Sequence, residues 1–292
     1  MKIAILLTGQ PRHLEQGAWW FKNKVFPEHK NTQLDIDYYC YFWNDGSTDL
    51  GKRIADSYNP VRSHVQQYDP VMDDFITRTQ EYNNTIDNWE AVPDKFRHGH
   101  LFDSDVQSNY IRNIWGQYLC SGKITKMIGN LENEYDIVIK TRSDIAFFPM
   151  AEKYWIAAFE NIYNNPVFDD KLFSPWLYID QGIPYFADFA FISKPRVWYD
   201  FSKNIEEHCF NLTGPNKQLW YELGVTQFEH HPHWIWNKLC GYSKTSMLSF
   251  STVWPMPFDA SLIRYNYDIT KMTFTDIKSE FDRYDVENPF KS

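Results

Sequence analysis

Long apolar runs are absent from this sequence: nowhere do the roughly 18 consecutive apolar residues of a membrane span occur. The opening "MKIAILLTGQPR" has five consecutive apolar residues before Thr8, too few for the core of a signal peptide, and a soluble, cytosolic chain is expected. The acceptor patterns Asn83-Asn84-Thr85 and Asn211-Leu212-Thr213 carry no meaning without secretion. Cysteine is scarce and scattered. Cys40, Cys120, Cys209 and Cys240 lie far apart and form no C-x-x-C pair, so neither a zinc knuckle nor a disulfide framework is indicated and reduced, buried thiols are expected. Blocks of like charge are also missing, and 29 Lys and Arg against 38 Asp and Glu give a net charge of −9. With a pI near 5.5 this argues against a nucleic-acid partner, so an anionic ligand would need a local cationic pocket. There is no internal repeat and no low-complexity segment.

Aromatic residues are plentiful, with 12 Trp, 19 Tyr and 22 Phe among 292 residues. They can fill a core, and they can line a cleft whose faces stack on sugar C–H groups; both readings stand. The length suits one large α/β domain in two halves, 1–150 and 151–292. Residues 2–7 read as a first strand ended by the turn "TGQPR", "DIDYYCYFW" (35–43) as a second, and "HVQQYDP" (64–70) as a weaker third. Residues 72–102 read as a long irregular insertion. Ser104 and Gln107 have the form of a capping box, and the apolar residues from Val106 to Leu131 recur at helical spacing. A strand at 135–148 follows at once, and helix then strand is the crossover unit of a parallel sheet. Beyond it, helices are predicted at 151–163, from Pro195 and from Pro232, with strands in "KLFSPWLYI", "FADFAFIS" and "SMLSFSTVW".

The segment "YDIVIKTRSDIAFF" (135–148) places Lys140, Arg142 and Asp144 in a row where a buried strand ends. In open α/β sheets ligands sit beyond the carboxyl ends of the strands, so this cluster and the turn Thr8 to Arg12 are expected to face one crevice. The chemistry that fits is transfer from a nucleotide diphosphate donor. Its leaving group gains negative charge in the transition state, which fixed cations or a divalent metal stabilise. Arg12 and Arg142 suit phosphate oxygens in forked geometry, and Asp144 suits Mg²⁺ or Mn²⁺ as a hard oxygen ligand. A structural ion pair explains Arg142-x-Asp144 equally well.

Taken in order, "ILLTGQPR", "DIDYYCYFWND", "SDVQSNYIRNIWGQY", "YDIVIKTRSDIAF" and "YFADFAFISKPRVW" resemble GT-A-type glycosyltransferases of the lipopolysaccharide-synthesis-like and virus-encoded kind. The resemblance covers about residues 1–200. It implies a GT-A-like α/β fold: a Rossmann-type, mostly parallel central sheet flanked by helices. It also implies a nucleotide-sugar donor bound by residues 1–150, a glycan or lipid-linked acceptor (a surface polysaccharide, for example) met by residues 151–292, and a divalent metal, Mn²⁺ or Mg²⁺. A viral member would work in the host cytoplasm. Thr8, Gly9, Gln10 and Arg12 match the family's turn near the nucleotide, with Lys140 and Arg142 beside it, and Asp144 matches the last acid of the Asp-x-Asp-like metal motif. The first acid of that motif is Arg142 here, and a guanidinium can itself neutralise phosphate. Asp188 matches a strand-borne acid near the acceptor, the candidate general base, against a capped carboxylate; Asp180 is the substitute. In "EHHPHW", His231 and His233 are candidate metal ligands, against surface imidazoles at a helix start, and Arg264 is a candidate for the donor phosphates. Two other functions remain open. A sugar nucleotidyltransferase would need a glycine-rich loop where "TGQPR" has one glycine, and a non-catalytic nucleotide-sugar or glycan-binding protein is compatible with the altered metal motif.

Overall fold

Ile3, Ala4, Ile5, Leu6 and Leu7 are all completely buried. A strand covered on both faces requires this, and β1 (Lys2–Gly9) lies inside a sheet with parallel neighbours on both sides. The computed structural model describes residues 1–27, 33–44, 46–67, 73, 77, 104–175, 177–180, 183–186, 190–208, 240, 243–250, 260–263 and 268–287. For 104–115, 177–180, 183–186 and 281–287 it describes the backbone course only.

After β1 the chain forms α1 (Leu14–Trp20), running on into a π-helical turn (Phe21–Val25), then β2 (Asp35–Trp43), α2 (Leu50–Tyr58) and β3 (Arg62–Gln66). The long α3 (Ser104–Ile128) and a single helical turn lead into β4 (Ile137–Thr141) and β5 (Ile145–Phe147). Next come α4 (Glu152–Asn164), β6 (Lys171–Ser174), β7 (Leu177–Asp180), β8 (Ile183–Phe186), β9 (Ala190–Ser193) and α5 (Pro195–Ser202). Among the described residues β10 (Ser246–Ser249), β11 (Ala260–Leu262) and α6 (Phe274–Glu287) complete the order.

Among the described residues seven strands form one sheet in the order β10-β6-β9-β4-β1-β2-β3. β1 is parallel to β2 and β4, β2 to β3, and β10 to β6; β9 alone opposes its neighbours β4 and β6. The expected mostly parallel α/β sheet is therefore present. Strand order reverses at β1, because β2 and β3 build to one side and β4 to the other. The crossover helices cover both faces, α1 and α2 one and α3 the other. Leu14 and Ala18 of α1 and Ile54 of α2 pack with Ile3, Ile5, Leu7 and Ile139. Leu119, Ile124 and Ile128 of α3 pack with Ala4, Leu6 and Val138. Helix α3 is tied to α5 through Thr125, whose hydroxyl accepts from Trp198 Nε1 at 2.9 Å and donates to Ser121 O at 3.1 Å, with Ser202 Oγ 2.8 Å away.

Several boundaries differ from the sequence reading. The expected strand 135–148 is two strands, because the chain leaves the main sheet at Arg142 and β5 pairs with β11 instead. "KLFSPWLYI" is likewise split into β6 and β7. The third strand starts at Arg62 and ends at Gln66 rather than spanning 64–70. Helices α3, α4 and α5 lie where periodicity and Pro195 put them. Helices α1, α2 and α6 were not anticipated. The insertion and the helix from Pro232 fall outside the described residues. No described helix is long and apolar enough to cross a membrane.

Candidate active site

Strands β1 and β4 end side by side, with Leu7 paired to Thr141. Gly9, at φ +102, lets β1 turn sharply into Gln10, Pro11 and Arg12, and His13 at φ 46 leads into α1. Strand β4 ends in Arg142-Ser143-Asp144 before β5. The two turns are stitched together by Ser143, whose Oγ donates to Arg12 O at 2.9 Å and lies 3.4 Å from Gln10 O. Arg12 Nε in turn donates to Gln10 Oε1 at 2.7 Å. Helix α1 presses on the same spot: a Cβ built on Gly17 would lie 1.7 Å from Ser143 O. Ile263 N donates to Asp144 O at 2.8 Å, so the segment after β11 holds the turn from its other end.

Arg142 and Asp144 face each other within this turn. Nε donates to Oδ1 at 2.9 Å and Nη2 to Oδ2 at 2.6 Å, a forked pair that engages both carboxylate oxygens. The Asp144 side chain is 1% exposed and that of Arg142 is 17% exposed, so solvent reaches the Arg142 side chain and not the carboxylate. Tyr58 is buried behind the turn. Burial first, and then the charges of Cys40, Tyr38, Asp144 and Glu15, push its phenol well above the ordinary value.

Thr8 and Lys140 take part differently. Both are completely buried. Thr8 Oγ1 lies 3.4 Å from Ser121 Oγ of α3, and Lys140 Nζ sits 5.6 Å over the Phe191 ring of β9. Between them, burial pushes the Cys120 thiol up to about 12, while the Gly9 N–H and the ammonium groups of Lys123 and Lys140 pull the other way. The α3 face of the strand ends is thus a closed polar layer beneath the two turns. Of the expected residues, Gln10, Arg12, Arg142 and Asp144 come together at the turns, and Thr8, Gly9 and Lys140 lie at the strand ends beside them. Asp180 ends β7 and only its backbone is described. Asp188, His231, His233 and Arg264 lie outside the described residues. Ser143 and Gly17, which hold the turns in place, were missed. A serine between two charges and a glycine inside an apolar helix were the only signals.

The donor set can be tested against a divalent metal. Mg²⁺ and Mn²⁺ take several hard oxygens, usually from carboxylates open to solvent. Here the one expected carboxylate that is described, Asp144, is buried and has both oxygens on Arg142. Among the described residues no group of three His, Cys, Asp or Glu is placed to hold a metal ion. The described residues do not fit a metal centre. They fit an anion, which would meet the Arg142 guanidinium and the Arg12 turn at the carboxyl ends of parallel strands.

No protein-family model matches the chain, and no curated protein sequence does. Among solved structures the chain is similar to mouse xyloside xylosyltransferase 1 in its apo form, with 10% identity over 85% of each chain and a TM-score of 0.42. It is also similar to the galactosyltransferase LgtC in complex with donor and acceptor sugar analogues, with 11% identity over 82% of this chain and 70% of that one, and a TM-score of 0.35.

Proposed function

We propose that the protein is a glycosyltransferase that takes its sugar from a nucleoside-diphosphate donor, in a GT-A-like arrangement. The observation that carries this reading is the stitch between the Gln10–Arg12 turn and the Arg142–Asp144 turn, where strand order reverses. That is where an open α/β sheet binds a nucleotide, and both turns bring guanidinium groups to it. The transfer forms a bond from an acceptor oxygen to the anomeric carbon and breaks the bond from that carbon to the diphosphate. The electron pair leaves on the diphosphate oxygen, where nearby cations lower the barrier. In an inverting displacement the acceptor proton passes to a carboxylate, and Asp188 is the proposed base, with Asp180 as the substitute. The acceptor is proposed to be a glycan or a lipid-linked saccharide.

A second reading, a non-catalytic nucleotide-sugar binder, is favoured by one observation: Asp144, the last acid of the expected metal motif, is locked onto Arg142. One experiment tests both. The full chain is incubated with a panel of nucleotide sugars, with and without Mn²⁺, and released nucleoside diphosphate is measured alongside the melting temperature. A ligand that binds only the native state raises that temperature. A shift with slow release of diphosphate from one donor is expected. A shift without release at any donor would support the binder, and no shift with any nucleotide would refute both readings.

A further inference from the structure

We propose that Arg142 takes the place of a divalent cation at the donor diphosphate, so that the protein binds nucleoside diphosphates without metal. The inference rests on the nucleotide-donor reading above and deepens it. In a site that works through a metal, carboxylates face the solvent and the dication bridges them to the phosphates. Here that order is inverted. Asp144 is the inner member of the pair and Arg142 the outer one, their side chains 1% and 17% exposed.

The pair is also held in place on both sides. Ser143, between its two members, is fastened to the carbonyl of Arg12, and the Asp144 carbonyl is fastened to Ile263 N. Thr141 before the turn and Ile145 after it are completely buried. A cation reaching Asp144 from solvent would have to break two charge-assisted hydrogen bonds and then sit against the displaced guanidinium, a like-charge contact. A diphosphate reaching the same spot meets a planar cation whose orientation is already set, the geometry that suits phosphate oxygens. Asp144 is then a positioning residue for Arg142. Its carboxylate fixes the plane of the guanidinium and does not touch the ligand.

The test is calorimetric titration of the full chain with UDP, GDP, ADP and CDP, first in buffer containing EDTA and then with Mn²⁺. Arg142→Lys, Asp144→Asn and wild type are compared, and their melting temperatures are checked so that a folding defect is seen as such. One diphosphate is expected to bind in EDTA with a dissociation constant within about threefold of that in Mn²⁺. Arg142→Lys keeps the charge but loses the fork, and should weaken that binding about tenfold or more. Asp144→Asn keeps one acceptor for Arg142, and should leave the ratio between the two buffers unchanged. Binding that appears only with Mn²⁺, and that Asp144→Asn abolishes, would overturn the inference and leave the donor reading intact. Absence of binding by every diphosphate in both buffers would refute the donor reading itself, and the inference with it.

Discussion

Helix α1 and the turn carrying Arg142 and Asp144 touch through Gly17, and replacing Gly17 with alanine tests whether that contact holds the site. The added Cβ would stand 1.7 Å from Ser143 O and 2.9 Å from Ser143 C, both backbone atoms that no rotamer change can move. Ordinary contact begins at 3.4 Å, so helix and turn must separate by about 1.7 Å. Overpacking of this kind costs about 1–3 kcal/mol. The shift also strains the Ser143 hydrogen bond to Arg12 O, worth about 1 kcal/mol. Alanine returns about 1 kcal/mol through helix propensity. The net is a loss of about 2 kcal/mol, a fall in melting temperature of about 3 °C for a chain of this size. Gly51→Ala is the control: Gly51 lies in α2 with nothing within 4 Å of the added Cβ, so propensity alone acts and stability should rise by up to about 1 kcal/mol. Thermal and urea unfolding followed by circular dichroism measure both variants. If Gly17→Ala melts at or above wild type, the close approach of α1 to Ser143 is not a feature of the folded protein, and the argument for a rigidly held turn fails.

Two further outcomes are expected from the same fold. Thr125→Val removes the hydroxyl that accepts from buried Trp198 Nε1, and an unsatisfied indole N–H should lower the unfolding free energy by about 1–3 kcal/mol in urea titration, whereas an effect below 0.5 kcal/mol by the same rough scale would mean that this bond is not made. Burial pushes the Cys120 and Cys240 thiols from 9.0 to about 12, so the folded chain keeps these protons where the unfolded chain releases them. Their contribution to stability is therefore full below pH 9 and is lost as the pH rises towards 12, by about 2 kcal/mol per thiol at pH 10.5; a urea midpoint that stays level between pH 8 and about 10.5 would contradict this.

The parts of the fold legible in the sequence are those in which one signal dominates. Five aliphatic residues announce β1, a nine-residue run with five aromatics announces β2, and Pro195 marks the start of α5. Helix α1 was hidden because it starts after a left-handed His13 and no side chain caps it, so an acid in its first turn, Glu15, is a weak start signal standing without a cap. The break between β4 and β5 was hidden for another reason. Residues 137–147 are almost continuously buried, and nothing local distinguishes the part that joins β1 from the part that pairs with β11, more than a hundred residues later.

The candidate site divides along the same line. That Lys140, Arg142 and Asp144 end a buried strand is local information, and the sequence carries it in three alternate positions. Which of them meets a ligand depends on distant partners. Phe191 closes over Lys140, while Ser143 and Ile263 fix the turn so that Arg142 is the member of the pair that solvent reaches. An Arg-x-Asp motif read as letters is equally a metal ligand with a neighbouring cation or a cation with a supporting acid. Tertiary contacts with residues up to 133 positions away decide which of the two side chains solvent reaches. In this fold the more exposed side chain is that of Arg142.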